Sequence, residues 1–114
     1  MVGPLEEWFH VTFDDDSIYI HIHAPGRDEI RESITWSEII RVCFKTGDFL
    51  SPDEIYIFVS HRPESYLIPT EADGGSELWG EFIDRKLFDA ELAIRAATAP
   101  ENSLFCWPEV DDET

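Results

Sequence analysis

Basic residues are what this sequence has least of: 8 Lys and Arg stand against 25 Asp and Glu in 114 residues, a formal charge of −17. A field of that sign repels nucleic-acid phosphates and anionic lipid headgroups, so neither is expected as a partner. Cysteine is scarce as well. Cys43 and Cys106 are too few for a disulfide framework and form no CxxC pair. No apolar run approaches the roughly 20 residues that span a bilayer, and Met1 to His10 has neither the basic region nor the apolar stretch of a secretory signal. These absences lead to the expectation of a cytoplasmic, soluble protein.

What is present fits one acidic domain, 1–114, with a short acidic C-terminal tail that includes Asp111, Asp112 and Glu113. The apolar fraction of 43% is that of an ordinary globular chain, so the acidity does not imply disorder. Nor is the charge confined to the tail: 12 acidic and 4 basic residues precede His61, and 13 and 4 follow from there. Charge spread in this way steers a basic protein partner. The plainer alternative is that it only keeps a small protein in solution.

The first two thirds of the chain read as strands. Phe9, Val11 and Phe13 alternate with Trp8, His10 and Thr12, and Ile18, Ile20 and Ile22 alternate with Tyr19, His21 and His23. Period-two alternation marks half-buried strands. Pairing Phe13 with Ile18, Val11 with Ile20 and Phe9 with Ile22 puts every apolar residue of this hairpin on one face, whereas a slip by one residue would not. Further strands are expected over Ile30 to Trp36, Ile40 to Lys45 (with Ile40, Val42 and Phe44 sharing a face), Glu54 to Ser60 and Ser65 to Pro69. Glu54 to Ser60 is apolar on both faces and reads as a central strand.

The pattern then changes. Leu78, Trp79, Phe82 and Ile83 have helical spacing within Ser76 to Lys86, with Ser76 as the expected N-cap after Gly74-Gly75. Asp89 can cap a second helical segment, Ala90 to Ala97, before Pro100. Phe105 to Trp107 returns as a short strand or docking segment. Strands followed by one long or two short helices define an α+β protein. Six or seven antiparallel strands cannot leave both faces wet, so the expectation is a partly closed barrel with the helix on one opening.

The segment Ile34-Thr35-Trp36-Ser37-Glu38-Ile39-Ile40-Arg41-Val42 resembles the I-x-W-x-x-I-x-x-V stretch of small bacterial proteins with a pleckstrin-homology-like (PH-like) barrel. The likeness spans roughly residues 8 to 95. It implies the same barrel and a bacterial source, and carries over no catalytic or ligand residue. Phosphoinositide-binding members carry basic residues where this chain has Asp14, Asp15 and Asp16, so lipid binding is not implied.

Few residues offer chemistry. The hairpin register sets His10 opposite His21 on the outward face, with His23 two residues on. Three imidazoles so placed could hold a Zn²⁺ ion or titrate together near pH 6, the second reading being a solvated face. Cys43 lies between the cations Arg41 and Lys45 but has no assigned base, and Cys106, flanked by Phe105 and Trp107, reads as buried and inert. Asp14, Asp15 and Asp16 lack the spacing of a calcium loop. With no catalytic set and no cofactor motif, an enzyme is not expected. The sequence leaves three functions open: a non-enzymatic protein-binding module of inhibitor or immunity type for a basic partner, a small metal-binding or enzymatic protein using the histidines, and a structural or regulatory domain. For the first, the interface would use Trp8, Tyr19 and the Asp14–Asp16 turn, with Tyr56 as another outward aromatic.

Overall fold

Seven strands and two helices make up the computed structural model, which describes residues 5–108. After a 3₁₀ turn over Leu5–Glu7 come β1 (Phe9–Phe13), β2 (Ser17–Ile22) and β3 (Ile30–Thr35). A second 3₁₀ turn, Trp36–Glu38, leads into β4 (Ile39–Lys45), followed by β5 (Glu54–Val59) and β6 (Tyr66–Pro69). Helices α1 (Gly75–Asp84) and α2 (Ala90–Ala97) come next, then β7 (Leu104–Trp107). The acidic tail lies outside the described residues.

The α+β class agrees with the sequence reading, but the PH-like barrel does not. The strands form two separate antiparallel sheets, β1-β2-β3 and β6-β5-β4-β7. Two local features keep them apart. The 3₁₀ turn at Trp36 ends pairing in the first sheet and restarts the chain in the second, so β3 and β4 are not ladder neighbours. The edge of β4 where β3 would pair in a barrel is taken by β7 instead. At the other end only an isolated bridge joins β1 to the segment after β6, through Val11 N–H to Asp73 O at 2.8 Å and Asp73 N–H to Phe9 O at 2.9 Å.

The two sheets still share one core. Val11, Ile18, Ile20 and Ile34 from the first meet Val42, Ile55, Ile57 and Ile68 from the second, and Leu78, Phe82, Phe88 and Leu92 complete the cluster. Trp36 is its hinge. Its ring lies edge-on to Phe13 and Phe82 at 6.0 and 5.9 Å, and the Arg85 guanidinium sits over it at 4.0 Å. That is the physical role of the tryptophan in the segment Ile34 to Val42: it buries the turn by which the chain changes sheets.

Three smaller expectations change. Ile40 does not share the inward face of Val42 and Phe44, because a bulge between Ile39 and Arg41 turns it outward, 57% exposed. Ser76 is not the N-cap of α1; Gly74 is, in left-handed conformation at φ 86°. Cys106 is not an isolated buried thiol, since β7 places it directly across from Cys43 and the two form a disulfide. Asp89 does cap α2, accepting from Leu92 N–H at 2.9 Å, and β5 is central in its sheet, between β4 and β6. Among the described residues, no helix is long and apolar enough to cross a membrane.

Candidate functional site

The β1–β2 ladder has the register read from the alternation: Phe9 faces Ile22, Val11 faces Ile20 and Phe13 faces Ile18. His10 is therefore opposite His21, and β3 extends the same outward face with Arg31 beside His21 and Ser33 beside Tyr19. Buried isoleucines and valine on the other face hold these polar side chains out. A shallow cleft on this face is lined by His10, Thr12, Tyr19, His21, Arg31 and Ser33, among others.

All three histidines converge at one end. His10 and His23 stack with ring centroids 5.1 Å apart, and His21 lies 5.0 Å from His23. His10 donates from Nδ1 to Asp73 Oδ2 at 2.9 Å, while its Nε2 is 3.1 Å from His23 Nε2. With His10 neutral and its proton on Nδ1, its Nε2 must accept from His23 Nε2–H. A proton on both facing nitrogens would force the rings apart. His21 Nε2 instead pairs with Glu29, which also accepts from Arg31 Nε at 2.9 Å and forms a 2.8 Å ion pair with Arg31 Nη2. The His21 hydrogen bond first, and then the Arg31 charge, hold the Glu29 carboxyl below its ordinary pKa. Asp73 and Glu29 escaped the sequence reading. Asp73 is 63 positions from His10 and reaches it only through the bridge between sheet edge and helix entrance.

These bonds decide what the cluster can do. Four of the six ring nitrogens, both of His10 and Nε2 of His21 and His23, are engaged with Asp73, Glu29 and one another. Among the described residues, no group of three or more His, Cys, Asp or Glu side chains is arranged to hold a metal ion. A carboxylate orienting an imidazole through Nδ1 is one half of a catalytic base. Here the other nitrogen of His10 meets a second imidazole, and among the described residues no hydroxyl or thiol nucleophile joins this chain of hydrogen bonds.

At the opposite end of the hairpin, the acidic turn is closed by its own first residue. Asp14 Oδ1 accepts from the backbone N–H groups of Asp16 and Ser17, both at 2.9 Å, and Oδ2 accepts from Tyr19 Oη–H at 2.9 Å. Trp36 ties this turn to the core, donating Nε1–H to Asp14 O at 2.8 Å and its backbone N–H to Asp16 O at 3.2 Å. Asp15 and Asp16 are left exposed. Of the aromatics read as outward, Tyr19 is 41% exposed, Tyr56 is half-buried with its hydroxyl donating to Glu54, and Trp8 is half-buried against the core with its indole N–H enclosed and unpaired among the described residues.

The Asp14 carboxyl is held below its ordinary value of 3.8, chiefly by the Ser17 and Asp16 N–H bonds and then by Tyr19. A folded-state pKa below the unfolded one contributes stability above about pH 4 that is lost as pH falls through the lowered value. Asp14→Asn keeps an acceptor and removes the titration. Thermal melts of this variant should therefore show a shallower loss of stability below pH 4 than the parent.

Compared with protein-family models, curated proteins and solved structures, the chain finds no match. The class its own structure defines is an α+β protein of two antiparallel sheets around a shared core.

Proposed function

We propose that the chain is a non-enzymatic protein-binding module that receives a basic protein on the outward face of β1-β2-β3, in the manner of an inhibitor or immunity protein. The observation that carries this reading is the ordering of the acidic turn. Asp14 and Trp36 hold its backbone, so Asp15 and Asp16 present their charge from a rigid rim beside exposed Tyr19. Preorganised charge loses little entropy on binding and steers encounter. The net charge of −17 supplies the longer-range field. Nucleic acid and anionic membrane are not partners in this reading, because the same field repels them.

The test begins with capture from host extract at low salt, beside an unrelated protein of matched size and charge. A basic protein retained by this chain alone is then measured kinetically. The association rate should fall about tenfold or more between 0.01 and 0.15 M salt, as the screening length shrinks from about 30 to about 8 Å. Asp15→Asn with Asp16→Asn should lower the on-rate, whereas Tyr19→Ala should raise the off-rate. Equal retention by the control, or rates indifferent to both salt and rim charge, would leave the acidity with a solubilising role only.

A further inference from the structure

The outward face of the second sheet has a different chemistry from the acidic rim. Val42 and Phe44 point into the core, so Arg41, Cys43 and Lys45 point out. Across the ladder, Phe105 and Trp107 pack on the core and Leu104 and Cys106 point out. The result is an open cleft with the Cys43–Cys106 disulfide as its floor, Tyr56, Phe58 and Leu104 as apolar walls, and Arg41 and Lys45 along it. Two of only 8 basic residues thus flank one cysteine, at positions two before and two after it on the same strand face.

The two sulfurs are not equivalent. Cys43 is 4% exposed, in the interior strand β4, with Tyr56 of β5 as its neighbour on the side away from Cys106. Cys106 is half-buried in β7, and no strand lies beyond β7 in the described sheet. Thiol–disulfide exchange needs the incoming thiolate in line with the breaking bond. On the Cys43 side lies β5, with Tyr56 as the paired residue, and Cys43 itself is buried. Attack on Cys106 comes from past the sheet edge.

We propose that this disulfide is a thiol–disulfide exchange site that accepts electrons from an external thiol entering at the β7 edge. The external thiolate forms a bond to Cys106 Sγ, the Cys43–Cys106 bond breaks, and its electron pair leaves on Cys43 Sγ. The thiolate so formed lies between Arg41 and Lys45, whose charges lower its cost and make Cys43 the better leaving group. A second external thiolate then attacks the external sulfur of the mixed disulfide and frees Cys106. Two electrons pass to the protein, and the external thiols depart as a disulfide. The covalent tie of β7 to β4 is lost, leaving the short edge strand held by its ladder, by Phe105 and Trp107 on the core, by the Thr46–Ser103 bonds and by the 3.1 Å bond from Arg41 Nε–H to Pro108 O.

Reduced glutathione is the probe, added to the oxidised full chain in native buffer and quenched by acid at short times. Mass spectrometry of the mixed disulfide should find glutathione on Cys106 at least about tenfold more often than on Cys43, following access and leaving-group stability. Arg41→Gln with Lys45→Gln should slow the first step about threefold or more, and Arg41→Lys with Lys45 intact should restore the parental rate. Circular dichroism confirms that each variant is folded. The proposal is overturned by adducts divided equally or favouring Cys43, by a charge-free variant that reacts at the parental rate, or by a rate that rises in urea in step with the unfolded fraction. That last pattern marks a purely structural disulfide, reached only when the chain unfolds.

Discussion

Trp36→Ala is expected to destabilise the fold by about 3–5 kcal/mol, the usual cost of truncating a buried large aromatic. Against a typical total of about 5–15 kcal/mol this is a large fraction of the stability. The ring is 8% exposed, and removing it takes away edge contacts to Phe13 and Phe82 and the platform under Arg85. It also orphans the Asp14 carbonyl that accepts the indole N–H. Thermal melting should record a fall on the order of 10–20 °C. Trp36→Phe separates the two contributions. It refills much of the volume but leaves that carbonyl without its donor, so the smaller loss should come with a looser Asp14–Asp16 turn, read as faster amide exchange at Asp16 and Ser17. If the turn also steers a partner, the Phe variant should lower the on-rate before it lowers the melting point severely.

What was legible in the sequence follows from how local each feature is. The β1–β2 hairpin could be read to the residue, because two alternating runs separated by three aspartates admit one register that buries every apolar side chain. That register also placed His10 opposite His21. The break between the expected strands Ile30 to Trp36 and Ile40 to Lys45 is where the 3₁₀ turn lies, yet a pattern of apolar residues states that a strand exists and not which strand it pairs with. Nothing in Ile34 to Val42 says that β3 and β4 belong to different sheets, so the barrel was a reasonable extrapolation and a wrong one. Ile40 was misplaced for a related reason: a bulge inserts one residue into an otherwise regular alternation, with no glycine or proline to mark it.

Features made by distant segments were the least visible. β7 is four residues long, too short for its alternation to be told from chance, so its pairing with β4 could not be foreseen, and the Cys43–Cys106 bond depends on that pairing. The Asp73–His10–His23 chain depends on the bridge that carries Asp73 to β1. By contrast, α2 and its Asp89 cap were legible from end to end, since the cap, the alanine-rich body and the terminating proline are all local signals.

Gly74→Ala should be as damaging as loss of the tryptophan, although it adds a single methyl group. Gly74 has φ 86°, a conformation that costs a residue with a side chain about 1–3 kcal/mol. The added Cβ would also stand 2.0 Å from the Val11 carbonyl oxygen, and a backbone atom inside β1 cannot yield as a flexible side chain would. The turn must therefore back away from the strand. Doing so breaks the Val11–Asp73 and Asp73–Phe9 backbone bonds, worth about 0.5–1.5 kcal/mol each, and draws Asp73 off His10. The total is on the order of 3–5 kcal/mol. Chemical denaturation measures it, and NMR of the imidazoles supplies the distinguishing readout, because the His10 Nδ1 proton should lose its carboxylate partner while the His21–Glu29 pair is undisturbed. Gly26→Ala is the matched control. It too has positive φ, at 76°, but its Cβ would meet nothing within 4 Å. Its cost should stay within the backbone term alone, about 1–3 kcal/mol, with the His10–Asp73 bond intact. Equal losses in the two variants would show that conformation, and not the close approach to Val11, makes glycine necessary at the entrance to α1.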